Sequence, residues 1–199
     1  MHRFLLPAAA LSFGLIGCAD SSPNVIFETD AGRIEVEVYP KKAPLSAGDF
    51  LYHVDEGLYD NQGFYRTVTW DTDPLDMGMS IVQGGRLALV PVTPFIGHEP
   101  TGQTGLSNVQ GSLAIARDAV GSGSAAYFFI NLKDNKFLDE GGARNEDGAG
   151  YAVFGKVVSG LDVAVKIQQG AVLPKTNISG TENQFLDKPV IIKKAYRKL

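Results

Sequence analysis

The period of the hydrophobic pattern changes near the start of the folded part of the chain, and this change constrains the fold more than any other feature. The runs VIFETD (25–30) and RIEVEVYP (33–40) flank Ala31-Gly32, and the second run alternates apolar with charged side chains. Such alternation beside a tight turn predicts a β-hairpin with one buried face. Residues 44–57 instead repeat apolar side chains at helical spacing, which predicts an amphipathic helix.

Short apolar runs follow this helix and are typical of β-strands. A second helix is predicted over LDVAVKIQQ (161–169) and a closing strand over VIIKKAYRK (190–198). Strands interrupted by two helices predict a mainly β domain, a β-barrel with helices over its ends. The intervening strand candidates are SIVQGG (80–85), SLAIAR (112–117), YFFINL (127–132) and YAVFGKVV (151–158).

Charge and cysteine content argue against two classes of partner. The net charge is −4, without a basic cluster, and phosphate binding relies on clustered Lys and Arg, so no nucleic-acid partner is expected. The single cysteine, Cys18, excludes an internal disulfide and a multi-cysteine metal site. The three histidines are too few for a His-rich zinc site. We therefore expect no metal and no cofactor, and the length of 199 residues favours one domain.

Residues 1–17 have the pattern of an export signal. Arg3 precedes an apolar run that is too short to span a bilayer as a helix, and the run ends in LIGC (15–18). This ending is similar to the bacterial lipobox, in which the cysteine becomes the lipid-modified first residue after cleavage. Cys18 is therefore the expected lipidation site. The alternative is a secretory signal that ends by chance at a buried cysteine.

The signal also predicts where the domain is located. Residues 18–23 would form a lipidated tether, and residues 24–199 would form the folded domain on the periplasmic side of a bacterial envelope. Ala19 follows the cysteine where some lipoproteins have aspartate. By resemblance to Gram-negative sorting patterns, this residue favours the outer membrane.

Four stretches in the same order and spacing resemble the cyclophilins, especially bacterial periplasmic ones, over about residues 25–198. The resemblance implies a closed eight-stranded antiparallel β-barrel capped by two α-helices. It also implies an outer groove for proline peptides and peptidyl-prolyl cis–trans isomerase activity that needs no cofactor. The stretches are the hairpin–KKAP–helix opening, FYR (64–66) with VQGG (82–85), YFFINL (127–132) and GYAVFGKVVSGLDV (150–163).

The resemblance assigns roles to individual residues. Arg66 falls on the family's catalytic arginine, Gln83 on the glutamine that steadies the arginine, and Phe129 on the floor of the proline pocket. Arg66 suits this chemistry because a guanidinium is planar, always charged and rich in donors. The further substrate-binding positions that the resemblance implies are Tyr65, Ser80, Ile81, Ala116, Arg117, Tyr127, Phe137, Leu138 and Tyr151.

The sequence also departs from the family pattern around the expected groove. Ser80 stands where the family usually has a phenylalanine, Tyr127 replaces a glutamine, and Phe137 takes a position often held by tryptophan. The connection at 67–79 is longer than usual, and the Gly-rich stretch 140–150 is slightly lengthened. We expect both extensions to lie near the groove, where they would reshape its rim.

These observations leave three hypotheses. The leading one is a monomeric isomerase that acts on Xaa–Pro bonds of exported proline-containing polypeptides and is anchored to the membrane by lipid. The second is a non-catalytic module or holdase that binds proline peptides, favoured by Ser80 and Tyr127. The third is a barrel that binds a small apolar ligand in its interior, which requires a large internal cavity.

Overall fold

Eight antiparallel strands close into a barrel in the computed structural model, which describes residues 22–88 and 94–199. In spatial order the strands run β1-β2-β7-β5-β6-β4-β3-β8, and β8 pairs with β1 to close the barrel. The closed eight-stranded barrel confirms the expected fold. The strands are β1 (Asn24–Thr29), β2 (Arg33–Val38), β3 (Gln62–Val68), β4 (Ile81–Gly85), β5 (Ser112–Ile115), β6 (Tyr127–Asn131), β7 (Val153–Ser159) and β8 (Phe185–Arg197).

Three α-helices, not two, accompany the barrel in the described part of the chain. The two predicted helices are α1 (Pro44–Asp55) and α3 (Leu161–Gln168), whereas α2 (Thr101–Thr104) was not predicted. A single turn with the sequence TGQT has no apolar repeat, so the hydrophobic pattern could not indicate it. The last strand also begins before the predicted residue 190, because Pro189 inside it resembles a strand boundary.

Aromatic rings fill the barrel interior. Phe27 stacks on Phe128 with ring centroids 5.6 Å apart. Phe50 of α1 reaches Phe154 at 4.9 Å, which places α1 over one end of the barrel. All four residues are fully buried. The interior is thus packed with side chains, which contradicts the hypothesis of an internal ligand cavity.

Neighbouring strands bring the three expected catalytic positions into one row. Arg66 of β3 lies opposite Gln83 of β4, and Gln83 lies opposite Phe129 of β6. Directly opposed residues share a face of the sheet, so these side chains are neighbours on the outer surface.

A β-bulge in β3 makes this row possible. The register shifts between Phe64 and Arg66 in the pairings of β3 with both of its neighbours. Phe64 points into the barrel, where strict alternation would also place Arg66. The extra residue lets Tyr65 and Arg66 both face outward, since a bulge re-aims the side chains that follow it.

Candidate active site

Two glutamine side chains hold the Arg66 guanidinium on the outer surface of the barrel. Nη1 donates to Gln83 Oε1 at 2.8 Å, and Nε and Nη2 donate to Gln184 Oε1 at 2.9 and 2.5 Å. Burial lowers the pKa of Arg66, but a guanidinium stays charged at neutral pH. Because both partners are neutral amides, they fix the orientation of the group and leave its positive charge uncompensated.

Each glutamine is itself held in place. Gln83 donates from Nε2 to the Tyr65 hydroxyl at 2.9 Å. Gln184 is almost fully buried and donates from Nε2 to the carbonyl oxygen of Thr72 at 2.6 Å. The donor end of each amide is engaged, so each Oε1 is directed at Arg66. The arginine is therefore held in one orientation before any substrate binds.

An apolar pocket lies beside this guanidinium. It is part of a groove of about 720 Å³ whose lining includes Phe129, Leu138, Ile81 and Met79. These four side chains belong to one buried apolar cluster. The groove thus combines a fixed cation with an apolar surface large enough to cover a proline ring.

Arg117 forms part of the rim of the groove. Its guanidinium lies 5.3 Å from the centroid of the Tyr151 ring, and that ring packs edge-on against Phe129 at 5.4 Å. Nη1 and Nη2 of Arg117 bind Asp147 at 2.7 and 2.8 Å. This bidentate pair lowers the pKa of Asp147 to about 2, with help from the N–H of Ala149. The 140–150 extension is thereby fastened to the rim.

The structure places most of the predicted site residues around the groove. The three catalytic candidates, Arg66, Gln83 and Phe129, all line it. The lining also includes seven of the nine predicted substrate-binding residues, namely Tyr65, Ile81, Ala116, Arg117, Tyr127, Leu138 and Tyr151. Their contacts with substrate remain a prediction.

Two predicted substrate-binding residues lie outside the groove lining. Ser80 accepts a hydrogen bond at its Oγ from Gln168 of α3 at 2.9 Å, so its side chain is directed at the helix. Phe137 packs against the side of the apolar cluster and does not line the groove. The structure therefore does not bring these two side chains together with the other predicted residues, and their contact with substrate stays a prediction. Alternation along the strand explains Ser80, because its neighbours Met79 and Ile81 face the groove.

Several groove residues were not anticipated from the sequence. They come from the 67–79 connection, the 140–150 extension, the loops before α2 and between β5 and β6, and the start of β8 with the loop before it, and their positions follow from tertiary packing. The unanticipated lining residues are Met79, Phe95, Asp118, Ser122, Ser124, Arg144, Ile178, Thr181 and Phe185. Within the described residues, no group of three or more His, Cys, Asp and Glu side chains could hold a metal ion.

Comparison with known proteins identifies the family. Residues 24–197 match the family described as cyclophilin type peptidyl-prolyl cis-trans isomerase/CLD. The chain belongs to the cyclophilins. Peptidyl-prolyl cis-trans isomerase A of Dickeya dadantii is 34% identical over 89% of this chain and 85% of its own length. Peptidyl-prolyl cis-trans isomerase B of Escherichia coli is 34% identical over 84% of this chain and 95% of its own length.

Solved structures support the same fold. A cyclophilin type peptidyl-prolyl cis-trans isomerase of Cryptosporidium parvum aligns with a TM-score of 0.65 over 89% of this chain and 98% of that chain. The two sequences are only 18% identical, so this likeness concerns the barrel alone.

In this cyclophilin the 67–79 connection is fastened to the groove by a buried carboxylate. The side chain of Asp73 is inaccessible to solvent and pairs with Nη1 of Arg144 at 2.5 Å. Its Oδ2 accepts the backbone N–H groups of Met77 and Met79, both at 3.0 Å. The connection therefore packs at the rim beside the 140–150 extension, as the sequence predicted for both.

This carboxylate gives stability a pH dependence. Burial raises the pKa of Asp73, but the N–H of Met79 and the charge of Arg144 outweigh burial, and the net pKa lies below its ordinary value. A group with a lowered pKa stabilises the fold above its unfolded pKa, and this stabilisation is lost as the pH falls through the folded pKa.

We expect Asp73→Asn to lower the free energy of unfolding by about 2 kcal/mol at pH 7, because the asparagine loses a charged hydrogen-bond acceptor. The difference from wild type shrinks as the pH falls below about 4. Urea unfolding between pH 7 and pH 3 measures it, with the exposed neighbour Asp71→Asn as the control. A difference that does not change with pH would contradict this assignment.

Proposed function

We propose that this peptidyl-prolyl cis–trans isomerase acts on Xaa–Pro bonds of exported polypeptides, in the groove beside Arg66. The observation that carries the proposal is a buried guanidinium, fixed by Gln83 and Gln184, next to an apolar pocket that contains Phe129. A proline peptide offers the matching chemistry, since an apolar ring is joined to an amide that can accept hydrogen bonds.

The chemical problem is a rotation barrier. The Xaa–Pro amide has partial double-bond character, and its barrier to rotation is about 18–20 kcal/mol. The cis and trans forms differ by only about 0.5–1 kcal/mol, so the limitation is kinetic. In the twisted amide the proline nitrogen regains its lone pair and becomes a better hydrogen-bond acceptor. A donor that meets this nitrogen only in the twisted state lowers the barrier.

Arg66 can supply that donor. A guanidinium has five N–H groups. Among the described residues three of them donate to Gln83 and Gln184, which leaves two for a substrate. Because the group is already oriented, it needs no reorganisation as the amide twists. No nucleophile and no covalent intermediate is required.

The pocket performs the second task. Phe129 and Leu138 would cover the proline ring. Gln83, which already accepts a hydrogen bond from Arg66, would also bind the substrate backbone. Holding the ring in place while the preceding carbonyl group rotates directs the motion to the amide C–N bond. The hypothesis of a non-catalytic binding module rested on Ser80 and Tyr127. The position of Met79 argues against it, because the apolar side chain of Met79 lines the pocket although the side chain of Ser80 does not.

One experiment separates the isomerase from the binding module. The exchange between cis and trans Ala–Pro signals of the peptide Ala-Ala-Pro-Phe is measured by NMR at catalytic amounts of protein. We expect exchange to accelerate in proportion to protein concentration. Chemical-shift changes without accelerated exchange would indicate binding alone and would overturn the enzymatic proposal.

The lipid anchor is part of the proposal. Cys18 and the signal peptide lie outside the described residues, but β1 begins at Asn24, only a short tether after Cys18. The helices of the described part are all too short or too polar to cross a bilayer. A lipid on Cys18 would hold the barrel at the membrane, on the periplasmic side and, given Ala19, at the outer membrane, in the compartment that exported polypeptides enter.

We expect Cys18→Ser to abolish labelling by radioactive palmitate, because serine cannot form the thioether to lipid, and we expect the labelled wild-type protein in the membrane fraction. Labelling and fractionation of cells that express either form measure this. Wild-type protein that takes up no label, or that is recovered in the soluble fraction, would contradict the anchor.

A further inference from the structure

Met79 occupies a place in the groove that the sequence did not predict. Its side chain is almost completely buried, lines the groove and belongs to the same apolar cluster as Phe129 and Leu138. It lies two residues before Ile81 and four before Gln83, so all three face the same side of the chain. Met79 therefore extends the apolar surface of β4 to a residue that precedes the first residue of the strand.

The 67–79 connection (the insertion) is built to direct Met79 inward. Asp73 anchors the backbone of Met77 and Met79 by their N–H groups, and its own position is fixed by Arg144. Gly78, between the two methionines, has a φ of +73°. A Cβ on Gly78 would lie 2.3 Å from the ring of Trp70, so only glycine allows this close turn.

A second contact ties the insertion to the catalytic arginine. The carbonyl oxygen of Thr72 accepts a hydrogen bond from Gln184, and Gln184 holds Arg66. The insertion thus touches both halves of the site, the apolar pocket through Met79 and the cation through Thr72.

The direction of Ser80 explains why a further wall is needed. Its hydroxyl accepts a hydrogen bond from Gln168 of α3, so Ser80 cannot cover a substrate ring. On this face of the site, the apolar surface beside Phe129 continues through Ile81 to Met79.

We propose that Met79 forms one wall of the proline-ring pocket and sets which rings the pocket accepts, so that the insertion is part of the substrate site. This inference rests on the proposed function. A methionine wall is unbranched and flexible, and it adapts to the shape of the group it contacts. Loss of the thioether would widen the pocket beside the ring and remove contact with proline.

The first test leaves the protein unchanged. The chain has three methionines, Met1, Met77 and Met79, so methyl-¹³C-methionine labelling gives a spectrum with very few signals, assigned from Met77→Ala and Met79→Ala. On addition of Ala-Ala-Pro-Phe, the Met79 methyl signal should shift and show nuclear Overhauser contacts with the proline ring protons. The Met77 signal should stay in place, and Ala-Ala-Ala-Phe should leave both unchanged.

The second test measures specificity. Met79→Ala should lower kcat/KM for the prolyl peptide about 10-fold, the usual effect of lost apolar contact in a pocket. The matched control Met77→Ala, in the same insertion but outside the groove lining, should retain wild-type activity. For the analogue with a six-membered pipecolic acid ring, the loss in Met79→Ala should be smaller, because the wider pocket accommodates the larger ring.

The outcomes distinguish the two proposals. Wild-type protein that accelerates exchange while the Met79 methyl stays unmoved, or Met79→Ala that keeps full kcat/KM, would overturn the role of Met79 and leave the isomerase intact. Wild-type protein that fails to accelerate exchange would overturn the proposed function, and with it the role of Met79 in selecting the ring.

Discussion

Replacing Arg66 by alanine should lower kcat/KM for prolyl isomerisation by about 100- to 1,000-fold, the range seen when a preorganised donor to a transition state is removed. The affinity for the peptide falls far less, because the apolar pocket beside Phe129 remains. Initial rates at several peptide concentrations, together with a titration of binding, separate the two effects.

The control for this prediction is another arginine. Arg33 is exposed at the start of β2, and Arg33→Ala should leave kcat/KM unchanged. Arg66→Lys should recover only a small part of the lost activity, since an ammonium cannot reproduce the planar array of donors that meets both glutamines. Activity of Arg66→Ala within a few-fold of wild type would show that the arginine is not catalytic.

Replacing Gln184 by alanine should lower kcat by about 10-fold and change KM little, because a guanidinium that has lost one of its two glutamine partners is misplaced during part of each encounter. Gln184 would contact Arg66, not the substrate, and is a positioning residue. The substitution removes the acceptor of two of the three hydrogen bonds that orient Arg66. Steady-state kinetics measure the effect, with the exposed Gln169→Ala as the control.

A double-mutant cycle distinguishes positioning from general destabilisation. If Gln184 acts through Arg66, then Gln184→Ala should have no further effect on kcat in a protein that already carries Arg66→Ala. An equal loss in both backgrounds would indicate that Gln184 supports the fold of the groove by another route. In that case the contact between Gln184 and Arg66 would make no contribution to catalysis.

The barrel and the row of catalytic positions could be predicted because they depend on patterns that are local in sequence. Alternation at residues 33–38 and the apolar runs YFFINL and SLAIAR indicate strands directly. Once the strands are known, Gln83 must lie on one of them and Phe129 on another. The bulge at Tyr65, which turns Arg66 outward, has no local sequence signal. Only the family resemblance predicted that the Arg66 side chain would face the groove.

Gln184 and Ser80 show where sequence reasoning ended. Gln184 lies in a polar loop, and its role arises from Thr72 and Arg66, which are more than one hundred residues away in the chain. Ser80 was assigned by its family position, whereas strand alternation favoured Met79 as the groove residue. Residues 79, 81 and 83 lie on one face of an extended segment, and this alternation, which is present in the sequence, places Ser80 on the other face.

The most direct measurement of the central claim is the rate at which a bound prolyl peptide changes isomer. With the protein in excess over Ala-Ala-Pro-Phe, NMR exchange spectroscopy reports that rate in the complex itself, independent of affinity. We predict rapid exchange on wild-type protein and exchange near the uncatalysed rate on Arg66→Ala with the peptide still bound. Equal exchange rates in the two complexes would contradict the claim that the Arg66 guanidinium stabilises the twisted amide.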